Sequence, residues 1–242
     1  MGGPANLAPM QDPEIEIPTA GGVFRELTAV TEFPRLALAA PRLASGPSGD
    51  GAPVMVLPGF GAGDGSTLML RGYLRVLGYA VHGWGLGRNG GDVPALIPQV
   101  IERTERIAQR TGRPVRLVGW SLGGVLSRET AREEPEAVER VVTLGSPVVG
   151  GPKYTLAGAS YRRRGVDLDE IERQVAEREA VPIRRPITAI YSRNDAVVAW
   201  KACIDRFSPD IEHVEVEATH SGLGFSARVY EILADRLAIG LR

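Results

Sequence analysis

The sequence predicts an α/β fold: a mostly parallel central sheet flanked by helices. Three observations carry that prediction. Short continuous apolar runs, such as Val54 to Leu57 and Val115 to Val118, have the character of strands buried on both faces. Segments with apolar residues at helical spacing lie between them, and the two patterns alternate over most of the chain. At 242 residues, 43% hydrophobic and 24% charged, the chain is long and apolar enough for one substantial core, so residues 1 to 242 are expected to form a single domain.

The elements follow in order. Arg35 to Ala44 is expected as an N-terminal strand and Ser45 to Pro53 as a flexible linker, so residues 1 to 53 form an N-terminal extension. After the strand Val54 to Leu57, Ser66 can cap a helix in which Leu70, Tyr73, Leu74 and Leu77 recur, ended by Gly78. Tyr79 to Trp84 is the next strand and runs into the Gly-rich loop Gly85 to Gly91. Asp92 opens a helix with Ile97, Ile101 and Ala108 on one face, and Gly112 closes it. Val115 to Trp120 is a strand, Leu122 to Glu133 a helix and Val141 to Leu144 a strand. Ile187 to Tyr191, Val214 to Val216 and a helix from Phe225 to Leu237 complete the alternation. Residues 150 to 186 interrupt it. They hold a polar helix, Asp167 to Glu179, with a thin stripe of Leu168, Ile171 and Val175, read as a small cap over the sheet edge. An ordinary crossover helix with long loops is the alternative.

A formal net charge of -1 gives no electrostatic case for nucleic acid or an anionic membrane surface. No stretch has the length of an apolar membrane span, and Met1 to Pro18 lacks the basic start and apolar core of a secretory signal, which makes the cytoplasm the expected compartment. The one cysteine, Cys203, excludes an internal disulfide framework and is expected to be a small buried side chain rather than a nucleophile, because no Gly-rich turn surrounds it.

The chemistry-bearing signal is Gly119-Trp120-Ser121-Leu122-Gly123, followed by Gly124, where the strand ends and a helix begins. A serine on so sharp a turn has its hydroxyl lifted above the sheet at a helix N-terminus, and glycines around it let neighbouring chain approach. A serine hydroxyl needs a base, and the base needs an orienting acid. Of the three histidines, His82 lies within a strand and His213 at the start of one, both expected as structural imidazoles. Only His220 falls in a loop just after a strand, where open α/β sheets assemble their sites. Asp195 leaves the strand Ile187 to Tyr191 and is the candidate acid. The alternative is an N-cap for a helix that follows it, and Asp205 and Asp210 lie farther from the strand end. The order Ser121, Asp195, His220 is the one expected for this kind of site. The candidate oxyanion donors are the backbone N–H groups of Leu122 and of Phe60, in Pro58-Gly59-Phe60-Gly61. Arg88 and Asn89 leave open whether the loop after Trp84 binds an oxyanion or only turns. Its spacing does not fit a dinucleotide site.

From about Val54 onward the chain resembles the α/β-hydrolase superfamily, and within it small bacterial esterases and lipases. The resemblance rests on Pro58-Gly59-Phe60-Gly61, the Gly119 to Gly124 turn, Gly145-Ser146-Pro147, Tyr191-Ser192-Arg193-Asn194-Asp195 and Thr219-His220. It implies acylation of Ser121, proton shuttling by His220 and deacylation by water, with no cofactor and no metal. The implied partner is a small-molecule ester, with only transient lipid-surface contact. Trp120 stands where many relatives carry histidine, and with Phe60 and Leu122 it makes an apolar surround suited to substrate. The superfamily also includes thioesterases, peptidases and non-catalytic binders, so the resemblance alone does not fix the substrate.

Overall fold

The computed structural model describes residues 15–241. Six strands form one parallel sheet: β1 (Pro53–Leu57), β2 (Ala80–Gly83), β3 (Val115–Trp120), β4 (Val138–Leu144), β5 (Ile187–Tyr191) and β6 (Ile211–Glu215), in the order β2-β1-β3-β4-β5-β6. Register is set by pairs such as Val56 with Val118 and Leu144 with Ile190. The helices are α1 (Val23–Glu26), α2 (Glu32–Ala44), α3 (Leu68–Val76), α4 (Val93–Thr111), α5 (Leu122–Glu133), α6 (Gly158–Arg163), α7 (Leu168–Glu179) and α8 (Ala227–Ala238).

Side chains of a strand point alternately to opposite faces, and β1 divides its apolar residues accordingly. Val54 and Val56 join a cluster with Leu70 and Leu74 of α3, Leu233 of α8 and Leu36 of α2. Met55 and Leu57 join the opposite cluster with Ile97, Val100 and Ile107 of α4 and Leu126 of α5. A fully buried leucine in either layer contributes about 1.5–3 kcal/mol relative to exposure. Both faces of the sheet are thus covered, which is why the strands read as continuous apolar runs. All six strands also send their C-terminal ends to one edge.

The expected helix Leu122 to Glu133 and the caps of α4 stand as read: Asp92 accepts from the Ala95 N–H at 3.2 Å, and Gly112 closes the helix with φ 66°. Strand and helix ends elsewhere shift by a few residues. The N-terminal region differs more. Arg35 to Ala44 is not a strand but most of helix α2. Its Leu and Ala residues favour helix, and Leu36 and Leu43, seven residues apart, bury on one face. Ser45 to Pro53 is not a free linker, since the Gly49 and Gly51 N–H groups donate to Leu77 O (2.6 Å) and Gly78 O (2.9 Å). Ser66 does not cap α3. It sits in a short 3₁₀ turn, Asp64–Thr67, and its hydroxyl donates back to Gly63 O.

Between β4 and β5 the chain forms the 3₁₀ turn Gly151–Tyr154, then α6 and α7, outside the sheet. Asp167 caps α7 by accepting from the Asp169 and Glu170 N–H groups. The helix is anchored on α5 by Glu179, which meets Arg128 at 2.8 Å and Arg132 at 2.5 Å. Arg128 is fully buried and also pairs with Asp205 at 2.9 Å, so its charge is compensated on two sides. Helix α6 lies on the loops after β1 and β2: the Tyr161 ring packs on Phe60 of the first, and its hydroxyl donates to Gly91 O of the second at 3.0 Å. No helix among the described residues is long and apolar enough to cross a membrane.

Candidate active site

Ser121 occupies the turn between β3 and α5 with φ 54° and ψ −121°, a left-handed conformation that costs a non-glycine residue about 1–3 kcal/mol. Two backbone bonds hold it there: the Ser121 N–H donates to Leu144 O (2.8 Å) and Ser121 O accepts from the Gly124 N–H (2.9 Å). The flanking glycine is sterically required. A Cβ on Gly123 would lie 2.3 Å from Leu57 O of the neighbouring strand. The turn therefore presses α5 against the end of β1 and lifts Ser121 into the cleft above the strand ends.

His220 and Asp195 arrive there from the loops after β6 and β5. His220 Nδ1 lies 2.6 Å from Asp195 Oδ2, and both residues are buried. An ionised carboxylate can only accept, so Nδ1 carries the proton and Nε2 is left as an acceptor. The other carboxylate oxygen, Oδ1, accepts from the Val197 (2.8 Å) and Val198 (2.7 Å) N–H groups. Asp195 has no helix directly after it to cap: residues 196–199 form a bend and an isolated bridge, so one carboxylate oxygen holds that bend while the other faces the imidazole. Ser192 ties the two loops together, its Oγ accepting from the Asn194 and Ala218 N–H groups. Gly145, with φ 55°, leaves space for the pair, since a Cβ there would lie 2.9 Å from Asp195 Oδ2 and 3.1 Å from His220 Nδ1.

Ser121 and His220 line one cavity of about 320 Å³, with Gly59, Phe60, Trp120 and Leu122 also in its wall. Val125 of α5, Ile171 and Val175 of α7, and Val197 and Val198 make the remainder strongly apolar. The Leu122 N–H is the first of α5 and has no partner within its own helix. The Phe60 loop is held by fully buried Asn89, whose side chain donates to Pro58 O (3.0 Å) while its backbone bonds Gly61 and Ala62. Arg88 Nε donates to Gly61 O at 2.8 Å. The loop after β2 thus serves to fasten the Pro58 to Gly61 turn. Trp120 lines the cavity, and its indole N–H also donates to His220 O (3.2 Å) while its ring meets Phe225 edge-on.

The remaining candidates lie elsewhere. His82 is in β2, with its imidazole held below its ordinary pKa by burial and then by the charges of Arg103, Arg110 and Arg75. His213 is in mid-β6 and accepts from the Asp205 N–H at 3.1 Å. Asp205 is committed to Arg128 and to the Phe207 and Ser208 N–H groups. Cys203 is buried, and burial, with the Asp195 charge second, pushes its thiol well above the usual range. Native protein should therefore release no thionitrobenzoate from Ellman's reagent, and denatured protein one equivalent. Rapid reaction of the native thiol would restore Cys203 as a nucleophile candidate.

Glu26 carries no signal in the sequence. Its carboxylate reaches from the N-terminal segment to accept from the Ala196, His220 and Ser221 N–H groups at 3.2, 3.0 and 2.7 Å. Backbone donors on distant loops leave no pattern by which a partner carboxylate could be found.

The parallel six-stranded sheet with its flanking helices has counterparts among solved structures. A metagenome-derived lipolytic enzyme superposes with a TM-score of 0.60 at 17% identity, covering 80% of this chain and 95% of its own. The chain has the α/β-hydrolase fold. The same hydrolase fold carries other chemistry: the N-formylmaleamic acid deformylase of Pseudomonas putida S16 superposes with a TM-score of 0.53 at 16% identity, covering 78% and 93%. In sequence, 62 residues are 34% identical to the pimeloyl-[acyl-carrier protein] methyl ester esterase of Edwardsiella ictaluri (strain 93-146). That match covers 26% of this chain and spans only 23% of the curated relative. No family model matches the chain.

Proposed function

We propose that this hydrolase-fold chain is a serine hydrolase that cleaves carboxylic esters with an apolar acyl group. The 2.6 Å pairing of Asp195 with His220, in a cavity shared with strained Ser121, carries the reading. His220 Nε2 takes the Ser121 hydroxyl proton as Oγ bonds to the ester carbonyl carbon. The negative oxygen that results faces the Phe60 and Leu122 N–H groups. As the carbonyl re-forms, the C–O bond to the alcohol breaks and the imidazolium returns its proton to the departing alkoxide. Water, deprotonated by the same imidazole, then hydrolyses the acyl-enzyme. Asp195 keeps the imidazole in the tautomer that each step requires.

The apolar cavity wall favours an uncharged acyl chain over a charged one. The likeness to a deformylase favours a second reading, in which the same residues cleave an amide or thioester. A panel of p-nitrophenyl esters, matched thioesters and anilides, compared by kcat/KM, decides between them. The expected result is highest kcat/KM for esters, together with covalent labelling of Ser121 by a fluorophosphonate. An anilide or thioester preferred over its matched ester would transfer the activity to the second reading, and absence of labelling would remove both.

A further inference from the structure

We propose that Glu26 is a positioning residue that clamps the Asp195 and His220 loops together, making the N-terminal segment part of the active-site architecture. The role rests on the serine-hydrolase reading for its kinetic consequence but on geometry for its existence. One carboxylate spans both loops: Oε1 accepts from the N–H of Ala196, next to the candidate acid, and from the N–H of the candidate base itself, while Oε2 accepts from Ser221. Those loops follow different strands, β5 and β6; the Asp195–His220 pair and the Ser192 hydroxyl also join them, as do the Val216 N–H to Tyr191 O bond and the Arg193–Glu215 ion pair where they leave the strands. Glu26 thus fixes the backbones from which the imidazole and the carboxylate project.

The segment that carries Glu26 is itself docked. Leu36 and Leu43 of α2 bury in the core layer shared with α8. The Phe33 ring lies on Phe225 with centroids 4.8 Å apart, and Phe225 in turn meets Trp120, the residue bonded to His220 O. Gly22 sits flush on the acid's loop, where a Cβ would be 3.1 Å from the Ala196 methyl. Burial alone would raise the Glu26 pKa. The donors on Ser221, His220 and Ala196 more than offset it and hold the carboxyl below its ordinary value, so it is ionised wherever a neutral histidine works. Glu26 is absent from the wall of the cavity that holds Ser121, so its contribution falls on alignment and not on substrate contact.

That separation sets the test. Glu26→Ala and Glu26→Gln are compared with wild type on p-nitrophenyl butyrate, with active sites titrated by a fluorophosphonate. Hydrogen exchange of the segments around 195–197 and 218–222 is followed by mass spectrometry. Glu26→Ala should lower kcat per titrated site by roughly 10- to 100-fold, the scale of a misplaced catalytic group, with KM changed by less than about twofold. Exchange in both segments should rise. Glu26→Gln keeps the oxygen facing Ala196 and His220 and loses only the bond to Ser221, so it should fall between the two in kcat and in exchange. A Glu26→Ala variant with wild-type exchange in either segment overturns the clamp. So does wild-type kcat per titrated site, or a glutamine variant no better than alanine. If wild type turns over no ester, the hydrolase reading fails by itself, and the exchange measurement alone supports or overturns the clamp.

Discussion

Ser121→Ala is expected to reduce p-nitrophenyl ester turnover by roughly 10⁶-fold, the scale seen when a serine nucleophile is removed, while the protein stays folded. Alanine retains the Cβ that already lies beside Gly59, and the backbone bonds of the turn, Ser121 N–H to Leu144 O and Gly124 N–H to Ser121 O, do not involve the hydroxyl. The positive φ of 54° persists, and with it the strain. Ser121→Gly should be equally inactive and melt at a higher temperature, because glycine adopts that conformation without the penalty. The two variants together separate chemistry from stability. Turnover at the wild-type rate in Ser121→Ala would remove Ser121 from the mechanism. An Ser121→Gly protein that melts below wild type would show that the turn holds less strain than its dihedral angles imply.

Much of the fold was legible because its signals are local. β1 and β3 are short apolar runs covered on both faces, and Asp92 and Gly112 mark α4 by capping chemistry that any chain would use. Ser121 was legible because glycines are needed where α5 crosses the end of β1. The errors have equally local causes. In Arg35 to Ala44 the residues Leu36 and Leu38 alternate as in a strand, yet Leu36 and Leu43 share a buried face while Leu38 is exposed. A two-residue period and a helical one overlap in so short a run. Ser45 to Pro53 has linker composition, but its Gly49 serves close contact, packed on the Tyr79 ring. Glu26 and the second contact of Trp120 were beyond reach, since both act through backbone groups of loops that only the tertiary fold brings near. His220, by contrast, could be reached by its place after a strand.

Asp195→Asn is expected to lower kcat by about 10⁴-fold, by analogy with serine proteases, and to leave the fold intact. The asymmetry of the carboxylate explains why the two effects part. Oδ1 accepts from the Val197 and Val198 N–H groups, and an asparagine carbonyl oxygen placed there keeps both bonds. The amide nitrogen must then face His220 Nδ1, where Oδ2 now accepts at 2.6 Å. A donor in that place forces Nδ1 to become the acceptor and moves the ring proton to Nε2. The imidazole then presents N–H to Ser121 and has no lone pair with which to take its proton. Asp195→Ala should be no more active but less stable, because it leaves the Val197 and Val198 N–H groups without their acceptor, at about 1–3 kcal/mol for each that stays buried. Kinetics and thermal melting of the two variants therefore give different signatures for orienting a base and for holding a turn. A loss below about tenfold in Asp195→Asn would assign the acid to another carboxylate. Asp205 is poorly placed to inherit the role, because Arg128 and the Phe207 and Ser208 N–H groups already occupy its oxygens.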